Sequence, residues 1–175
     1  VNALSLSKTS SNVSALEAAG VATAAQKIQD LSGVEFFTGL DTLIVTSNDL
    51  VSLDLSANTD LVELSMNFCK VEALDVTGCP NLKKLRFRAS SQANALLSDI
   101  DLSNNLQLRH LHLRSHAFTS IDLSANVALI EEVDLSENPG PDGNSGTSDI
   151  VIPAAIYDQV QAGGGVLLGC LLYTS

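Results

Sequence analysis

Residues 53–58 read LDLSAN, and near-copies follow at 74–79 (LDVTGC), 100–105 (IDLSNN), 121–126 (IDLSAN) and 133–138 (VDLSEN). A hexapeptide that returns this often is a repeat unit, and its period decides the architecture. Taking the first inward apolar residue of each unit gives Leu43, Leu53, Leu64, Leu74, Leu85, Ile100, Leu111, Ile121 and Val133. The steps between them are 10, 11, 10, 11, 15, 11, 10 and 12 residues, so most adjacent pairs sum to 21. The step of 15 marks a polar, small-residue insertion around 89–99, composed like a surface loop.

Each unit fits L-x-x-L-x-L-x-x-N-x-L, as in Leu40, Leu43, Val45, Asn48 and Leu50, or Leu61, Leu64, Met66, Cys69 and Val71. The L-x-L core puts two side chains inside and one outside, the alternation of a short strand. About ten residues is too few for a strand and a return helix. The spacing therefore predicts a coil of 21 residues with a strand on each side. Stacked coils would form two short parallel sheets around a leucine core. Composition agrees: 45% of residues are hydrophobic but only 4% aromatic, with no Trp, so thin aliphatic layers must supply the core.

The units resemble leucine-rich repeats of the nested kind, in which LxxLxLxxN alternates with LxxLDLxxN. With a leader such as IQDLSGVEFFTGLDTL (28–43), they are similar to surface and secreted repeat proteins of Bacteroidota and to internalin-like arrays. The resemblance covers about 31–138, with some nine successive matches. It implies a ligand-binding module, for a protein or a glycan, located extracellularly or at a bacterial cell surface, without enzymatic activity or cofactor. The alternatives are a structural spacer and an accessory repeat region of a larger multidomain enzyme.

The flanks read differently. Residues 1–33 contain a strand-like start, VNALSLSKT, and then a helical period over 15–29 with capping-box spacing between Ser14 and Glu17. The array is expected over 34–138. Residues 139–169 hold a Pro/Gly/Ser-rich turn, a strand at 150–152, a short helix from Pro153 to about 161 and a strand at 166–168. The last six residues, CLLYTS (170–175), match the translation of a transposase-type sequencing adapter, and read-through from a metagenomic fragment is the expectation there.

The Asn of each unit should be buried, satisfying turn backbone and stacking coil on coil. Asn48, Asn58, Asn105, Asn126 and Asn138 hold that position, and Cys69 and Cys79 replace it. Three cysteines without paired spacing make no disulfide framework. In the LDL units Asp54, Asp75, Asp101 and Asp122 form a column expected to bond to turn amides and solvent.

Residues between the leucines face outward. Aligned on Leu64, Leu85, Leu111 and Val133, they form rows: Glu63, Lys84, His110, Glu132; then Ser65, Arg86, His112, Asp134; then Asn67, Arg88, Arg114, Ser136. The net charge is −11, which argues against nucleic-acid binding, yet the segment 83–116 carries six of nine Lys+Arg and all three His. Asn67, Phe68, Arg86, Arg88, His112 and Arg114 are the candidate binding residues, for an acidic protein loop or an anionic glycan. The competing reading is a cross-strand ion ladder, Glu63 with Lys84 and Glu132 or Asp134 with a histidine. Arg88 and Arg114 have no acidic row-mate and should repel unless an anion binds. No metal site is expected. A zinc triad of His110, His112 and His116 fails because His116 falls at the Asn position and arginines lie close. The turn around Asp142, Asn144, Gly146 and Asp149 lacks calcium-loop spacing. No catalytic fingerprint is present, and no apolar run is long enough to insert into a membrane.

Overall fold

The computed structural model describes residues 3–5, 27–89, 97–142 and 150–172. Seven three-residue strands form one parallel sheet in the order β1 (Ala3–Ser5), β2 (Thr42–Ile44), β3 (Glu63–Ser65), β4 (Lys84–Arg86), β5 (His110–His112), β6 (Glu132–Asp134) and β8 (Val166–Leu168). Leu4, Leu43, Leu64, Leu85, Leu111, Val133 and Leu167 are register partners from strand to strand. Each strand is short because only its central residue turns inward. Leu43, Leu64, Leu85, Leu111 and Val133 are completely buried, while the residues flanking each of them are mostly half-buried. Ladder bonds continue one step further, as in Met66 N to Arg86 O at 2.9 Å and Phe87 N to His112 O at 2.8 Å.

The turn that follows recurs. Ser47, Phe68, Ser115 and Glu137, each four residues after the inward leucine or valine, have φ between 62° and 64°. That is the left-handed region, which costs an L-residue about 1–2 kcal/mol. The next residue is buried and bonds to backbone of the same or a neighbouring coil. Asn138 donates Nδ2 to Leu113 O and Leu135 O (2.8 and 2.7 Å) and accepts Phe118 N. Cys69 donates Sγ to Val45 O at 3.0 Å.

The LDL column does not build the expected second sheet. Residues 53–55, 74–76, 100–102 and 121–123 are extended but unladdered. A local turn follows each of these segments. Asp54, Asp75, Asp101 and Asp122 each accept the N–H two residues on, from Ser56, Thr77, Ser103 and Ser124, at 2.8–2.9 Å. This is an Asx turn. Two successive tight turns follow, as in Asn58 N to Leu55 O and Leu61 N to Asn58 O, both 3.0 Å. The same capture occurs at the end of the laddered strand β6, where Asp134 accepts Ser136 N at 3.0 Å, so the Asx turn does not by itself prevent pairing. The column still lines the core: Leu55, Val76, Leu102 and Leu123 are buried. The side-chain amides of Asn58, Asn105 and Asn126 each bond to two carbonyls of the preceding coil at 2.8–3.1 Å.

After Pro153, α1 (Ala154–Ala162) buries Ile156 and Val160. It leads through Gly163–Gly165 into β8. A Cβ at Gly165 would stand 2.5 Å from Ile130 O and 2.6 Å from Glu131 O, so only glycine allows this approach. The second sheet that does form is a pair, β7 (Ile150–Ile152) with β9 (Cys170–Leu172). The helix expected over 15–29 lies outside the described residues, except 27–29, which are not helical. The insertion 90–96 and most of the turn 143–149 also lie outside them.

Candidate functional site: the outward face of the sheet

Residues before and after each inward leucine stand on the solvent face. The rows follow from pairing: Glu63, Lys84, His110 and Glu132 are successive partners, as are Ser65, Arg86, His112 and Asp134. Neighbours in a row are about 4.8 Å apart at the backbone, so charges on adjacent coils reach one another.

Several cations of this face pair with carboxylates of neighbouring coils. Glu63 pairs diagonally with Arg86, Nη1 to Oε1 at 3.0 Å, rather than with Lys84 directly opposite. The longer, forked guanidinium reaches across the pleat while also touching His110. Arg109 pairs with Glu131 at 3.1 Å. Glu132 Oε2 lies 3.2 Å from His110 Nε2 and 2.9 Å from His112 Nε2.

Arg114 does not stand unopposed, as its row implied. Its guanidinium bonds to Glu137, whose other oxygen accepts the Ser115 hydroxyl at 2.5 Å. These bonds, Arg114 first, hold the Glu137 carboxyl down to about 2. Glu137 sits one residue past its row, at the left-handed turn, and that backbone carries its side chain back over the preceding coil. Arg88 is different. Among the described residues no carboxylate ion-pairs with it. Its guanidinium lies over the Phe68 ring, 5.7 Å from the centroid. Its backbone N–H bonds to Asn67 Oδ1 at 2.8 Å. Phe68 is 37% exposed although its φ is 63°, so strained backbone presents an aromatic ring to solvent.

Of the six candidate residues, Asn67, Phe68 and Arg88 therefore form one cluster, while Arg86 and Arg114 belong to internal ion pairs and His112 lies against Glu132. Counting along rows located the basic residues. It missed Glu131 and Glu137 as their partners, because rows ignore diagonal and turn positions.

The three histidines have distinct surroundings. His116 is buried in the Asn column. Its Nε2 is 2.8 Å from Phe87 O and its Nδ1 is 3.3 Å from Leu97 N. The carbonyl requires a proton on Nε2 and the amide requires a lone pair on Nδ1, so the ring is neutral. Burial pulls its pKa down to about 4. His110 and His112 stack, centroids 4.6 Å apart at 21°. Their ring nitrogens and a Glu132 oxygen lie within 4.8 Å of one another. Burial, then Arg86 and His112, lower the His110 pKa and favour its neutral form.

On the LDL side a groove of about 590 Å³ crosses the coils, lined by Leu53, Leu74 and Ile100 and rimmed by Glu72, Asp75, Asp99 and Asp101. Asp75 and Asp101 are held in their own turns, which lower their pKa values.

A parallel stack with leucines in register and a buried Asn column defines a repeat solenoid of leucine-rich-repeat-like architecture. No family model and no curated protein matches the chain. Among solved structures it is similar to the functional domain of InlJ from Listeria monocytogenes, described as including a cysteine ladder. The identity is 18% and the TM-score 0.27, over 73% of this chain and 47% of that one. The chain thus spans about half the length of that structure. Among the described residues no helix is long and apolar enough to cross a membrane.

Proposed function

We propose that the chain is a non-enzymatic binding module of a bacterial surface or secreted protein, and that its sheet face holds an acidic protein loop or an anionic glycan. The observation that carries this reading is the Arg88–Phe68–Asn67 cluster. Among the described residues, a guanidinium without a carboxylate ion pair lies over an exposed aromatic ring, on a face where Arg86 and Arg114 are already paired. Arginine can grip a carboxylate or sulfate in two parallel hydrogen bonds, and an aromatic ring can stack on a sugar or a side chain. The resemblance of the repeats to surface and secreted arrays supports the extracellular setting. The buried thiols of Cys69 and Cys79, both with raised pKa, are poor nucleophiles, which supports a role without catalysis.

The test is retention on immobilised heparin and chondroitin sulfate and on an acidic-peptide array. Arg88→Glu and Phe68→Ala should each abolish retention while leaving the urea midpoint unchanged. Retention that survives Arg88→Glu would overturn the assignment. The ion pairs on the remaining face favour a second reading, a structural spacer, because a face that satisfies its own charges needs no ligand. Failure of the unaltered chain to bind any probe would select the spacer.

A further inference from the structure

We infer that His110, His112 and Glu132 form a zinc-class divalent cation site on the sheet face, apart from the Arg88–Phe68 cluster. No metal site is expected from the sequence, and His116 cannot join the other two histidines because it is buried in the Asn column. The third ligand comes instead from the next strand, where Glu132 is the register partner of His110.

The geometry is that of a ligand set. Tetrahedral zinc with bonds of about 2.0–2.1 Å keeps its N and O ligands roughly 3.3 Å apart. Glu132 Oε2 lies 3.2 Å from His110 Nε2 and 2.9 Å from His112 Nε2. His110 and His112 are two apart on β5, so both rings leave the same face, and they stack. His112 Nε2 is enclosed and makes no hydrogen bond, although a carboxylate oxygen stands 2.9 Å away. A cation between them would satisfy both atoms.

The outer groups fit as well. Arg86 points Nε and Nη2 at His110 Nε2 at 3.4 and 3.3 Å, so that nitrogen carries the lone pair. The ring proton is then on Nδ1, which faces Glu131 Oε2 at 3.9 Å. That is too long for a hydrogen bond, so Glu131 would have to close in to become the outer carboxylate that a zinc-bound histidine usually has. Arg86 occupies the lone pair that the metal needs, so it competes. It can withdraw to Glu63, which it already holds at 3.0 Å. Three protein ligands leave a fourth position for water or an anionic oxygen.

The experiment titrates the full chain with Zn²⁺ and with Co²⁺ at pH 7.5. One equivalent should bind, and Co²⁺ should give tetrahedral visible bands without a thiolate charge-transfer band. In proton NMR, Zn²⁺ should move the ring signals of two histidines and leave those of His116. His112→Ala and Glu132→Gln should each weaken binding by more than about tenfold. Arg86→Gln should tighten it. The inference is overturned by absence of saturable binding, by affinity unmoved in His112→Ala, by a thiolate band, or by Arg86→Gln weakening the site. The wild-type NMR titration decides the matter even where a variant fails to fold.

Discussion

His116 is the best place to test how the coils are held together, because one proton changes its role. The ring donates from Nε2 to Phe87 O and accepts at Nδ1 from Leu97 N, and it is 2% exposed between Phe87 and Phe118. Asn138 does the same with an amide, donating to Leu113 O and accepting from Phe118 N. Protonating Nδ1 would set an N–H against the Leu97 N–H and bury a charge. The folded pKa is accordingly about 4, against about 6.5 in the unfolded chain. Between these values the unfolded state binds more protons, so stability is complete above about pH 6.5 and falls as pH drops towards 4. Between pH 7.5 and 4.5 the loss is about 2–3 kcal/mol from this ring alone. Urea melts of the wild type and of His116→Asn across that range should show it. The variant keeps a donor and an acceptor but cannot titrate there, so its stability should fall by that much less. His110, also lowered, and the carboxylates contribute alike to both proteins and cancel in the difference. The variant will be less stable at pH 7.5, since the smaller side chain leaves space beside two phenylalanines; that offset does not affect the slope. Identical pH slopes would refute the assigned neutral tautomer.

Other positions give sharper, smaller tests. Asn105→Ala should cost about 1–3 kcal/mol in urea melts, since it removes two buried hydrogen bonds and leaves the carbonyls of Val76 and Cys79 with only their turn bonds. Gly165→Ala should lower the urea midpoint, because its Cβ would meet two backbone oxygens at 2.5 and 2.6 Å; an unchanged midpoint would show that β8 can move away from Ile130. Iodoacetamide at pH 8 should leave Cys69 and Cys79 unmodified in the native chain, as burial raises both thiols, Cys79 to about 11; mass spectrometry of the native and urea-unfolded chain reads this directly. Arg114→Ala should cost no more than about 1 kcal/mol, because its pair with Glu137 is exposed.

The stacked coil and the outward rows were legible from the chain itself. Leucines recurring in an L-x-L frame leave one way to bury them all, and counting from Leu64, Leu85 and Leu111 gives the same neighbours that the strand register shows. The turn chemistry of the LDL units was partly legible, since Asp followed two residues later by Ser or Thr is an Asx-turn pattern. That the second column packs without pairing was not legible. Period alone reports which residues face the core, not where each backbone hydrogen bond goes.

The charged face divides the same way. Sequence placed Arg86, Arg88, His112 and Arg114 on one surface because side-chain alternation in a strand is fixed by covalent geometry. Which of them are neutralised was decided only in three dimensions. Reach across the pleat gave Arg86 to Glu63, a left-handed turn brought Glu137 to Arg114, and Arg88 lies over the Phe68 ring with no carboxylate ion pair among the described residues. Side-chain length and turn conformation set those partners, and neither is written in the spacing of the leucines.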